Sequence, residues 1–126
     1  MNKIIAFFKK LRLKVARMIV IAWAKLNYRI AVDKANKRYE EEHTMIYVVA
    51  QPFQPDVLTT YDHRRFKAEK AAWGRQYAAF LTLSGMKAGC YYHTPDRAGN
   101  QAMTPEEIEK RKEYFIRERL HKAKLL

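Results

Sequence analysis

The sequence predicts an α+β fold: a long N-terminal amphipathic helix, a small antiparallel β-hairpin, and two or three further helices. Three observations carry that prediction. Apolar residues recur at alternating spacings of three and four across residues 4–26, the pattern of one helix face. Residues 45–50, MIYVVA, are rich in β-branched and aromatic side chains and run into QPFQPD, which reads as a strand followed by a proline-enforced loop. Thr104, Pro105 and Glu107 supply a cap, a first-turn proline and a capping-box glutamate, in the order that starts a helix.

At 126 residues, 48% apolar and 30% charged, the chain has the size and composition of one globular domain. Its parts are a basic N-terminal helix (1–44), a hairpin with helices and loop (45–103), and a charged C-terminal helix (104–126). Lys and Arg number 25 against 13 Asp and Glu, a net charge of +12. An excess of that size calls for an acidic or polyanionic partner. The lone cysteine, Cys90, excludes an internal disulfide framework and a cysteine-based zinc cage.

On the N-terminal helix, Ile4, Phe8, Leu11, Val15, Met18, Ala22 and Leu26 share a face, with Ile19 and Ile30 beside them. Lys3, Lys10, Lys14, Arg17 and Lys25 gather on a separate arc. With Lys9, Arg12 and Arg29 they bring residues 1–32 to eight positive charges and no acid. These cations break up any secretory hydrophobic region. The longest apolar run, residues 18–24, is far short of the roughly 20 residues that span a bilayer. With the lone thiol, this predicts synthesis inside a cell without export by a signal peptide. Three readings stand for the helix: part of the chain's own core, a docking element for a partner, or a membrane-surface helix. Residues 18–24 are apolar on nearly every side, which favours cover by protein. The expected docking residues are Phe8, Leu11, Val15, Met18, Ile19 and Trp23. The residues expected to meet nucleic acid or acidic protein are Lys3, Lys10, Lys14, Arg17, Lys25, Arg64 and Arg65.

The helical pattern continues through Ala31, Ala35 and Tyr39 and then meets Glu40, Glu41 and Glu42, which oppose the dipole at a helix C-terminus. Either the helix stops before them or they pair with basic groups. The hairpin is expected at residues 45–50 and 57–60. Asp62 is suited to cap a helix beginning at His63 and reaching about residue 73. A stripe of Phe66, Trp73, Tyr77 and Phe80 crosses Gly74, where a stop or kink is expected. Residues 84–100 are irregular, with a third short strand within residues 89–94, and the small sheet's open edges could recruit another chain.

From Thr104 the last helix is expected to run to about Lys124. Glu106 with Lys110, Glu107 with Arg111, Glu113 with Arg117 and Glu118 with Lys122 are spaced for i,i+4 pairing. Its thin apolar stripe suggests a peripheral arm.

Little in the chain suggests reaction chemistry. Cys90 and His93, with His43, His63 or Asp96, lack the second strong pair that a zinc site needs. Cys90 is expected to act as a compact apolar residue and His93 as a partly exposed cap. The four glycines form no phosphate-binding loop. The sequence therefore predicts no enzyme, no metal and no cofactor. The eight tyrosines are expected mostly at core edges, their hydroxyls in water.

Asp33-Lys34-Ala35, His43-Thr44, Tyr47-Val48-Val49, and Asp62 with Arg64-Arg65-Phe66-Lys67 together resemble small basic proteins of uncharacterised function encoded by gut bacteria and their tailed phages. The resemblance covers about a third of the chain. It implies a non-enzymatic protein, a virion or assembly component, and brings no functional residues with it. The expected function is thus structural: assembly with protein partners or other copies of the chain, with basic residues toward nucleic acid or acidic protein. Free nucleic-acid binding is the second reading, and attachment to a membrane surface the third.

Overall fold

The computed structural model describes residues 2–51, 54–65, 67–68 and 87–125. They form α1 (Asn2–Glu42), β1 (Tyr47–Gln51), β2 (Gln54–Tyr61), β3 (Tyr92–His93) and α2 (Pro105–Lys122). Residues 63–65, 67–68 and 87–89 are also helical. The architecture is mixed α+β, as the patterning predicts. The stripe expected through Trp73, Tyr77 and Phe80, and the kink at Gly74, lie outside the described residues.

Helix α1 has 41 residues and is about 60 Å long at 1.5 Å per residue. It runs through the three glutamates, and Glu42 pairs within the helix with Arg38 at 3.4 Å. Termination falls to His43, whose φ of 52° is left-handed; its N–H donates to the Tyr39 carbonyl at 2.8 Å. Arg38 also reaches across to Asp62 at 2.9 Å and to the Thr60 hydroxyl at 2.9 Å, fastening the end of α1 to the end of β2.

The sheet is antiparallel in the order β2-β1-β3. Tyr47 sits between Tyr61 and His93, and Val48 between Thr60 and Tyr92. The edge of β1 expected to lie open is thus occupied by β3. Strand β2 is longer than expected and includes Pro55. A proline is tolerated there because β2 is an edge strand and the register shifts between Ala50 and Gln51. Alternation sends Val48 and Tyr92 toward the helices, while Tyr47, Tyr61 and Cys90 form a second cluster. Asp62 behaves as the expected cap, its Oδ1 accepting the Arg65 N–H at 2.7 Å.

The Thr104 hydroxyl accepts the Glu107 N–H at 3.2 Å, so α2 starts where the capping box predicts, and it ends at Lys122. It is no peripheral arm. Phe115 is wholly buried, with Leu120 and Arg119 nearly so, because α2 packs on α1 and closes the main core with Ala24, Tyr28, Ala31 and Ala35. Among the described residues, none of the four expected i,i+4 ion pairs forms; α2 instead pairs Lys112 with Glu109 at 3.9 Å, and two of the expected partners turn to the body. Arg111 donates to the carbonyls of Cys90 and Lys87 at 2.7 and 3.1 Å, and Glu118 accepts the Tyr91 hydroxyl.

Candidate docking surface

The two halves of α1 use opposite sides of the helix. In the C-terminal half, Ala24, Tyr28, Ala31 and Ala35 face the body and are buried, Ala24 and Ala35 completely. At 100° per residue, the stripe of Ile4, Phe8, Leu11, Val15, Met18, Ile19 and Leu26 points to the other side. These residues are exposed, Phe8 by 61%, Met18 by 61% and Ile19 by 64%. The reading of this stripe as the chain's own core is therefore corrected. The core-forming surface is a second set of residues that sequence reasoning followed only in part. Its signal was present: alanines and one tyrosine at spacings of three and four, small enough for another helix to approach closely.

Residues 18–24 were expected to be covered from several sides. The structure divides them: Ala24 is buried, Val20 and Ile21 are half-buried, and Met18, Ile19 and Trp23 are exposed. All six expected docking residues, Phe8, Leu11, Val15, Met18, Ile19 and Trp23, are exposed, and all lie on the half of α1 N-terminal to its packed segment. An apolar stripe of this length left in water is far larger than the scattered exposed side chains of an ordinary monomer.

The basic residues divide: Lys3, Lys10 and Arg17 fall on the angular side of α1 that carries Ala24 and Tyr28, away from the stripe. Lys3, Lys10, Lys14, Arg17 and Lys25 are all exposed. On the helical wheel, Lys14 and Lys25 border the stripe on one side, and Lys9 and Arg12 on the other. Arg64 is exposed too. Arg65 is not poised for an anionic partner: its guanidinium donates to the Thr59 hydroxyl at 3.0 Å and the Thr60 carbonyl at 3.1 Å. It also lies 4.3 Å from the centre of the Tyr61 ring, so its role is structural.

Cys90 and His93 sit apart from this surface, and both are buried. The thiol donates to the Lys87 carbonyl at 3.3 Å and lies 3.2 Å from Arg111 Nη1. Burial pushes its pKa up, against the lowering effect of Arg111, so the reactive thiolate is disfavoured. His93 is not the partly exposed cap expected. Its Nδ1 lies 3.0 Å from the Thr94 carbonyl, which assigns the proton to Nδ1, and burial lowers its pKa. Among the described residues, no group of three or more His, Cys, Asp or Glu is placed to hold a metal ion.

Several tyrosine hydroxyls expected in water are bonded to protein instead. Tyr28 donates to the Tyr91 carbonyl, Tyr39 to the Asp96 carbonyl and Tyr92 to Asn36 Oδ1. These rings brace the core and are not free for stacking on bases.

Among the described residues, no helix is long and apolar enough to cross a membrane. Comparison of the chain with family models, curated proteins and solved structures finds no match.

Proposed function

We propose that the chain is a non-enzymatic docking protein. A small α+β body is carried on the C-terminal half of one long helix, and the N-terminal half of that helix attaches the body to a larger structure. The observation that supports this is the orientation of the apolar stripe, exposed and on the side of α1 opposite the face that packs on the body. Leaving that much apolar surface in water forgoes roughly 25 cal/mol for each Å² that a partner would cover. The accompanying Lys and Arg would meet anionic groups on that partner. A free nucleic-acid-binding role uses the same cations but leaves the stripe in water.

The test is a triple variant, Phe8→Glu, Met18→Glu and Ile19→Glu. The variant should keep the unfolding midpoint of the parent chain within ordinary surface-substitution scatter, about 0.5 kcal/mol per site. In cell fractionation, the parent should sediment with large structures and the variant should move to the supernatant. Strong destabilisation of the variant would make the stripe part of the chain's own core and end this reading. So would a parent chain found entirely in the supernatant.

A further inference from the structure

Resting on that docking reading, we propose that the partner of α1 is an anionic lipid surface, on which residues 2–30 lie flat. Four observations combine. First, the stripe from Ile4 to Ile30 is about 40 Å long at 1.5 Å per residue and includes Phe8, with Phe7 and Trp23 at its two edges, all exposed. Large aromatic and aliphatic side chains on one side of a basic helix are the composition of interfacial helices.

Second, cations border the stripe along both sides, and Arg29 falls on the stripe itself next to its C-terminal end. Lys9 and Arg12 lie on one side, Lys14 and Lys25 on the other. That arrangement matches a planar partner, with hydrocarbon under the stripe and phosphate level with both borders. The aliphatic stems of these residues follow the apolar surface outward while their charged ends reach the headgroups. A nucleic-acid duplex offers phosphates but no apolar layer. A second copy of the stripe would bring eight cations against eight with no acid among them.

Third, the body is out of the way. Ala24, Tyr28, Ala31 and Ala35 hold it on the far side of α1, and the exposed stripe residues from Ile4 to Trp23 precede the segment where Ile108, Glu109 and Lys112 of α2 meet Lys25, Leu26 and Arg29. Fourth, the stripe ends in a defined place. Asp33 and Glu40 follow on the same side of the helix and are exposed, and acids there would be repelled by anionic headgroups. Beyond Ile30 the helix lifts from the surface and carries the body with it.

The test is flotation of the purified full-length chain with phosphatidylcholine vesicles, with and without 30% phosphatidylglycerol. The chain should float with the anionic vesicles, and high salt should weaken that binding. Lys9, Arg12, Lys14 and Lys25 all changed to Gln should lower the partition coefficient roughly 100-fold or more. Phe8→Asp with Ile19→Asp should abolish flotation while leaving the unfolding curve unchanged. Three results would each overturn the lipid assignment: no flotation with either vesicle; binding to duplex DNA, unaffected by the Asp substitutions, in place of vesicles; or a concentration-dependent dimer that the Asp substitutions dissolve. The broader docking reading fails separately, through destabilisation of the stripe variants. A chain whose variants stay folded and leave the sedimenting fraction, yet whose parent ignores vesicles, would keep docking and lose lipid.

Discussion

The Tyr28 hydroxyl donates a 2.8 Å hydrogen bond to the Tyr91 carbonyl, joining the middle of α1 to the residue that leads into β3. The same hydroxyl lies 3.4 Å from the Ile108 carbonyl on α2. One phenol therefore touches all three layers of the body, and burial raises its pKa well above the ordinary tyrosine value. Tyr28→Phe keeps the ring and removes the donor, leaving the part-buried Tyr91 carbonyl without this partner. The expected loss is about 1–2 kcal/mol, read as a lower urea midpoint at unchanged slope. A midpoint equal to that of the parent would show that water replaces the phenol.

Neighbouring aromatic residues on α2 should respond very differently. Phe115 is fully buried, 5.1 Å from the Tyr91 ring and 6.3 Å from the Tyr28 ring, whereas Tyr114 is 58% exposed. Phe115→Ala should cost about 3–5 kcal/mol through lost contacts and a cavity. Tyr114→Ala should stay within about 1 kcal/mol. Equal losses in thermal or urea unfolding would contradict the packing of α2 as core.

Stability should fall with acid through His93. The folded imidazole is held below its ordinary pKa by burial, so as pH drops through about 6.5 the unfolded chain binds a proton that the folded chain refuses. This contribution to stability is complete above that pH. It is lost progressively as pH falls from there toward the lower pKa of the folded imidazole. Urea midpoints at pH 7.5 and 5.5 measure the effect, and His93→Gln should reduce the difference between them. A difference unchanged by the substitution would assign the acid sensitivity to other groups.

Local chemistry was legible in the sequence wherever a residue acts on its own neighbours. Thr104, Pro105 and Glu107 announced the start of α2, and the Thr104 hydroxyl caps it. Asp62 announced a helix start and accepts the Arg65 N–H. The β-branched and aromatic run announced β1, and Tyr47, Val48 and their partners alternate between its two faces. Each signal acts over a few residues, so no knowledge of the rest of the chain is needed.

The side of α1 that forms the core was decided only by tertiary structure. Hydrophobic periodicity ranks Ile, Phe, Leu and Met above Ala, and so it picks out the stripe of Phe8, Leu11, Val15 and Met18. Packing instead selects Ala24, Tyr28, Ala31 and Ala35, because small side chains let α2 come close enough for Phe115 to fill the space between the helices. Arg111 and Glu118 are engaged by the same packing: α2 presses against residues 87–91, where Arg111 meets the Lys87 and Cys90 carbonyls and Glu118 the Tyr91 hydroxyl. By itself the sequence determined that α1 exists, that it is basic, and that it carries a large apolar stripe. Which side meets the body, and therefore which side is left for a partner, depends on shape complementarity between segments some 80 residues apart in the chain, and no local pattern encodes that.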